Sequence, residues 1–287
     1  MAFDGIVLKQ ITSELNSCLI GGKINKIYEP NNNEIILGIY SNGKNYALLC
    51  NISSNSYRIH LTTNSKPNPI NAPNFCMLLR KHLVGSRIKS IFTPSSLERI
   101  VKIELEAYNE LNDLSTKTLV IELMGKHSNI ILLNENNKII DSLRHLDISS
   151  GSLRDIMPAR DYILPISDKE DFYNTSKDVF ISKIEGSITK SITNNFTGIS
   201  NCFISSLLEK LKISDNNYTK ENLSILYDKI SSILSSIGSN KVLCSNTCIN
   251  DYSITLEENN DNLQTNFFLD DFYLNDIHEN NFILNIV

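Results

Sequence analysis

The chain has 287 residues, 41% of them hydrophobic, and a formal net charge of −5 at pH 7, which is enough apolar content for one large domain or two modest ones. No run approaches the ~20 apolar residues a membrane span needs, and the start "MAFDGIVLKQ" has an early acid where a secretory signal would carry basic residues. The six cysteines (18, 50, 76, 202, 244 and 248) are scattered, with Cys244 and Cys248 as the only close pair, so they frame neither a disulfide set nor a zinc site, and a reduced, cytoplasmic protein is expected.

In chain order, "FDGIVLKQITSELNSCL" predicts a helix with Ile6, Leu8, Ile11, Leu15 and Leu19 on one face, Asp4 at the N-cap and Gly21-Gly22 as the stop. Alternating runs Lys23–Tyr28, Glu34–Tyr40, Asn45–Cys50 and Tyr57–Leu61 predict strands, and "SNGKN" is a strong hairpin turn. "NFCMLLRKHLVG" predicts a second helix after Pro73, with Asn74 as its cap and Phe75, Leu78, Leu79 and Leu83 inward. Strands follow at Arg87–Phe92, Arg99–Ala107, Thr118–Met124, Asn129–Leu133 and Lys138–Leu143, the last three as a meander. Residues 1–167 therefore read as a β-rich domain with two helices, built as two packed sheets.

Residues 168–240 change to helical spacing, with a Gly-turn in "FTGIS" and an amphipathic helix whose Thr219 cap has Asn222, rather than the preferred Glu or Gln, at its third position. Residues 241–287 read as three or four short strands around the polar turn "EENND". Neither a repeat nor a coiled coil is evident.

The charge is unevenly spread. Residues 1–160 hold 18 Lys+Arg against 14 Asp+Glu and include all seven arginines, whereas 161–287 hold 9 against 18. This is either compositional drift or the mark of a polyanionic partner for the first part. "IELMGKHSNIILLN" invites a phosphate-cradle reading, but Gly125-Lys126 is followed by His127 and then by a strand, so the helix N-terminus of a P-loop is missing. A hairpin tip with Gly125 at positive φ is expected instead, its Lys126 and His127 either solvated or against a phosphate backbone. The five histidines are isolated, and no metal-ligating or nucleophilic constellation appears, so no catalytic residue, metal or cofactor is assigned. Taken alone, Asp4 reads as an N-cap and Glu98-Arg99 as a surface ion pair worth ~0–1 kcal/mol.

The ordered motifs "MAFDGIVL", "NAPNFCMLLRKHLVGSRI", "ERIV", "IELMGKHSNIILLN", "IIDSLRH" and "YILP" give the chain a resemblance to the N-terminal region of the NFACT family, strong over 1–165 and looser beyond. The resemblance implies an α+β fold: a β-sandwich similar to the N-terminal domain of formamidopyrimidine-DNA glycosylase, then a helix-hairpin-helix-like domain. Those glycosylases attack with an N-terminal proline. The start Met1-Ala2-Phe3-Asp4 offers none, so glycosylase activity is not expected.

The resemblance also implies a task. NFACT proteins bind large ribosomal subunits obstructed by peptidyl-tRNA and recruit alanyl-tRNA, so that the stalled peptide gains a C-terminal tail without mRNA. The ribosome performs the chemistry. The family's acidic residue and Asp-Arg pair map onto Asp4, Glu98 and Arg99, with Glu98 one methylene longer than the usual Asp. In this reading two carboxylates hold Arg99 ready for a base edge or phosphate, and Arg80, Lys81, Arg87, Lys126, His127 and Arg144 are candidate phosphate contacts. Family members continue into a long coiled coil and a C-terminal NFACT-R domain, so a longer protein is expected, with 241–287 a short β extension before the coiled coil. The alternatives are a surface adhesin that binds fibronectin and a DNA-repair enzyme.

Overall fold

A computed structural model describes residues 3–94, 97–108, 113–147, 154–239, 242–248, 251–257 and 262–284. The chain divides into two compact units, neither continuous in sequence: one comprises 1–13, 93–99 and 164–262, the other 14–92, 100–163 and 263–287. The short pieces 1–13 and 93–99 thus group with the helical region rather than with the β-rich one.

The β-rich unit holds strands β1 (Lys23–Asn31), β2 (Glu34–Ser41), β3 (Lys44–Asn51), β4 (Arg58–Leu61), β5 (Arg87–Phe92), β6 (Ile100–Tyr108), β7 (Leu114–Glu122), β8 (Asn129–Leu133) and β9 (Ile139–Ser142). They form one antiparallel nine-stranded sheet in the order β4-β3-β2-β1-β5-β6-β7-β8-β9, where the sequence suggested two sheets. Its weak seam is the β1–β5 border, where Lys23↔Arg87 is the one paired register position. Loop bonds such as Gly21 N–H to the Ile88 carbonyl (2.8 Å) and Ile24 N–H to Ser86 (3.0 Å) extend it. At Asn42-Gly43 both residues take positive φ (48° and 78°), the two-residue hairpin turn that suits the twist of its strands.

The buried cluster Ile100, Val120, Ile131, Leu133, Ile139 and Ile156 fixes the register of β6 to β9, each side chain contributing ~1.5–3 kcal/mol by leaving water. Beside it Glu122, at 0% exposure, is held by Arg154 through two bonds (2.8 and 2.7 Å) and by the Tyr162 hydroxyl (2.7 Å). Truncating Arg154 would leave a buried charge uncompensated.

Helix α1 (Gly5–Leu19) starts in the first unit, and α2 (Asn74–Leu83) lies in the second. Asn74 is the first residue of α2 and not its cap; Pro73 holds that place, and no side chain caps the turn. The helical unit contains α3 (Lys177–Ser182), α4 (Ile188–Asn195), α5 (Asn201–Leu211) and α6 (Lys220–Ser236), capped in turn by Ser176, Ser187, Ser200 and Thr219. Asn222 closes the capping box on α6, its amide oxygen accepting the Thr219 N–H at 3.0 Å; an amide serves here as well as a Glu or Gln would. Phe172, Phe180, Phe196 and Tyr227 form the aromatic core of this unit.

Beyond α6 the chain departs from the expected strands. A single hairpin, β10 (Val242–Cys248) with β11 (Asp251–Leu256), is followed by helix α7 (Gln264–Leu284) in the β-rich unit. The turn expected at 257–261 lies, from 258 on, outside the described residues. Polar anchoring stabilises α7. Glu14, buried in α1, accepts the N–H groups of Thr265 and Asn266 (3.1 Å each), and Asp270 accepts from Thr62 Oγ1 (2.6 Å) and Thr63 N–H (2.8 Å). Among the described residues no helix is long and apolar enough to cross a membrane.

Candidate functional site

Three loops of the helical unit meet at the start of α1. Gly5 N–H donates to the Gly198 carbonyl at 2.8 Å, and a Cβ built on either glycine would overlap the carbonyl oxygen of Leu97. Only hydrogen fits there, and Gly198 also sits at φ +69°, where a side chain is strained. Leu97 immediately precedes Glu98 and Arg99. The two glycines therefore fix the backbone from which that pair projects, both side chains being half-buried.

Asp4 locks the arrangement from inside. It is 5% exposed. Its Oδ1 accepts the N–H groups of Ile6 and Val7 (3.0 Å each), capping α1, and its Oδ2 accepts the Ser200 hydroxyl (2.7 Å) and N–H (3.2 Å) at the head of α5. One carboxylate thus caps α1 and anchors Ser200, the residue that caps α5, and both helix N-termini favour negative charge. Burial pushes the Asp4 carboxyl above its usual range, while the bonds from Val7, Ser200 and Ile6 pull it back. Asp4 thus stands in the same unit as Glu98 and Arg99, with both its oxygens engaged in holding backbone.

Burial raises the Glu98 carboxyl, Arg99 and Lys169 oppose the rise, and Asp171 adds to it. Asp171 is thus an acid whose charge reaches Glu98, and the sequence gives no local sign of it. It lies on a segment zipped to the 195–200 turn: Thr197 N–H donates to the Glu170 carbonyl (2.9 Å) and Glu170 N–H to that of Asn195 (2.8 Å). No local pattern in the sequence could place 169–171 beside 98–99, because the link is a non-local backbone pairing.

The candidate phosphate contacts lie in the other unit. Lys126 and His127 are exposed on a 3-10 turn, Gly125–His127, between β7 and β8, with Gly125 at φ +61°. No helix follows, as the rejection of a nucleotide cradle requires. Lys81 is exposed in the last turn of α2. Arg80 is exposed with its Nε on the Ile27 carbonyl (2.8 Å), and Arg87 with one terminal nitrogen on the Gly21 carbonyl (3.0 Å). Arg144 is engaged with the protein's own loops. Its guanidinium donates to the Ser128 and Ile52 carbonyls (3.1 Å each) and to Asn33 Oδ1 (2.6 Å), stapling three loops, and burial lowers its pKa. Such a group ties the fold together.

Among the described residues no cluster of three or more His, Cys, Asp or Glu could hold a metal ion. The Met1-Ala2 start, on which the exclusion of a proline nucleophile rests, lies outside the described residues.

Comparison with known proteins places the chain in a family. The family described as NFACT N-terminal and middle domains matches residues 4–282. The Rqc2 homolog RqcH of Bacillus subtilis (strain 168) is 35% identical over 235 residues, covering 80% of this chain and 41% of that protein. The human ribosome quality control complex subunit NEMF is 28% identical over 142 residues, 50% of this chain and 12% of its own length. Among solved structures, the N-terminal part of the fibronectin/fibrinogen-binding protein of Streptococcus suis superposes with a TM-score of 0.76 at 30% identity, over 96% of this chain and all of that one. The fibrinogen-binding protein of Staphylococcus aureus gives 0.78 at 27%, over 95% and 99%. The chain spans less than half the length of the curated relatives it matches.

Proposed function

Because the chain belongs to the NFACT family, with a family match over residues 4–282, we propose that it is the RNA-facing N-terminal part of a ribosome quality-control factor. In this reading it acts in the cytoplasm on large ribosomal subunits obstructed by peptidyl-tRNA. It recruits alanyl-tRNA for mRNA-independent tailing of the stalled peptide. No enzyme chemistry is assigned to it, since the ribosome forms the peptide bonds. The relatives named RqcH and NEMF support the assignment.

The observation that carries the reading is the glycine clamp on Leu97, which presents Glu98 and Arg99 from a fixed backbone. A guanidinium and a carboxylate on neighbouring residues of a fixed backbone offer donors and acceptors together, the combination an unpaired base edge needs and a phosphate does not. That chemistry suits the unstacked loop of a tRNA. Asp4 acts in this scheme as a positioning residue: it holds the heads of α1 and α5, and Glu98 and Arg99 meet the RNA. We also infer that the β-rich unit is related to the glycosylase N-terminal sandwich and the α4–α5 turn to a helix-hairpin-helix.

The test is to sequence RNA that co-purifies with the protein, with Asp4→Ala and Arg99→Ala variants alongside. Enrichment of tRNA, alanine acceptors foremost, that disappears in both variants is expected; RNA unchanged by Arg99→Ala contradicts the assignment. The name of the Streptococcus suis relative, a fibronectin/fibrinogen-binding protein, favours a second reading, an adhesin that binds fibronectin. Nanomolar binding in a direct fibronectin titration would support it.

A further inference from the structure

Tyr173 is 41% exposed, whereas its neighbour Phe172 is buried in the aromatic core. Three contacts hold Tyr173 in place, one on its backbone and two on its side chain. Asp171 caps its short 3-10 turn, Oδ1 accepting the Tyr173 N–H at 3.0 Å. The Tyr173 hydroxyl donates to the Leu234 carbonyl at 3.4 Å. The Lys9 ammonium, from the second turn of α1, lies 4.1 Å from the ring centroid. A cation over one face is the ordinary arrangement for a lysine beside a surface tyrosine, and by itself indicates no ligand.

Its place in the fold adds a second observation. Lys9 is four residues along α1 from Gly5, and Tyr173 is three residues from Glu170, whose carbonyl accepts the N–H of Thr197 next to Gly198. Gly5 and Gly198 are the two jaws on the Leu97 carbonyl. The ring and the ammonium are therefore linked, through the Gly5–Gly198 and Thr197–Glu170 backbone bonds, to the Leu97 loop that carries Glu98 and Arg99, all within a single unit. Asp171 ties them electrostatically as well: burial raises Glu98 and Tyr173 and lowers Lys9, and the Asp171 charge adds to both rises and opposes the lowering. A surface built for phosphate alone would exclude both carboxylates. A fixed aromatic face beside mixed donors and acceptors matches a nucleobase, read by stacking on its face and by hydrogen bonds on its edge.

We propose that Tyr173, backed by Lys9, is the stacking platform for an unstacked base of the same RNA whose neighbouring nucleotide meets Glu98 and Arg99. The proposal rests on the RNA reading above and extends it to residues outside the family signature.

The test is fluorescence anisotropy of fluorescein-labelled bulk tRNA with the 287-residue chain and its Tyr173→Phe, Tyr173→Leu and Arg99→Ala variants. Tyr173→Phe keeps the ring and binds close to wild type. Tyr173→Leu weakens binding roughly 5- to 100-fold with the salt dependence unchanged, because stacking releases no counterions. If Tyr173→Leu binds as wild type while Arg99→Ala is weakened, the platform is overturned and the RNA reading survives. If the wild-type chain binds no tRNA, both fall. A measurement that needs no variant is photocrosslinking of 4-thiouridine-substituted tRNA to the unaltered chain. Adducts on the peptide carrying Tyr173 are expected, and adducts confined to other peptides overturn the proposal.

Discussion

The Ser200 hydroxyl donates to Asp4 Oδ2 at 2.7 Å, joining the heads of two helices whose capping residues stand 196 positions apart. The same hydroxyl accepts the Phe203 N–H at 3.2 Å, so Ser200 both caps α5 and anchors the carboxylate that caps α1. Ser200→Ala removes an N-cap and a charge-assisted bond in one step. It should cost about 2–3 kcal/mol in urea unfolding. A loss under about 0.5 kcal/mol would mean that the tie does not support the site.

The glycine clamp makes a sharper claim. Gly198→Ala places a methyl group on the Leu97 carbonyl at a positive φ and should cost more than about 2 kcal/mol. Gly43→Ala is the control: its φ is also positive, at +78°, but nothing lies within 4 Å of the added Cβ, so only the backbone penalty of about 1 kcal/mol applies. Equal unfolding midpoints for the two variants would refute the clamp.

Arg144 and Arg99 should separate stability from binding. Arg144→Ala strands acceptors on three loops and should cost about 2–3 kcal/mol in unfolding, with tRNA affinity of the folded fraction unchanged. A specific loss of affinity without destabilisation would return Arg144 to the RNA surface.

His60 gives the fold a pH dependence. It is 1% exposed, Nδ1 donating to the Leu61 carbonyl (2.8 Å) and Nε2 accepting from Arg58 Nε (3.2 Å), so the neutral tautomer fits. Burial first and Arg58 next push its pKa down to about 4; Lys66 acts the same way and Asp270 opposes. The unfolded imidazole titrates near 6.5. Between those values the unfolded chain takes up a proton that the folded chain refuses. The contribution is therefore complete above pH ~6.5 and drains away as pH falls toward 4. The urea midpoint should be lower at pH 5 than at pH 7, with a smaller difference in His60→Gln. Identical slopes for both proteins would exclude His60 as the source.

Local signals carried much of this structure. Asp4 as a cap, the Asn42-Gly43 hairpin, the Gly125 tip and the Gly198 turn each depend on a few adjacent residues, and each was legible. Helix α7 was not. Phe267, Phe268, Phe272 and Tyr273 are strong strand formers, and the groups that hold the helix, Glu14 and the Thr62–Asn64 loop, are some 200 or more residues away. The single sheet escaped for a similar reason, since one pair, Lys23↔Arg87, joins its halves. At the site, the motif residues were visible, but their division of labour was not. Asp4 is spent on the heads of α1 and α5, and Asp171, whose charge acts on Glu98, comes from a segment with no motif.

The most direct test of the account is the affinity of Arg99→Ala for tRNA, measured by anisotropy alongside its urea midpoint. Removing a guanidinium that reads RNA from a preset backbone should weaken binding about 10- to 100-fold and leave the midpoint unchanged. Wild-type affinity in a fully folded Arg99→Ala protein would contradict the central claim.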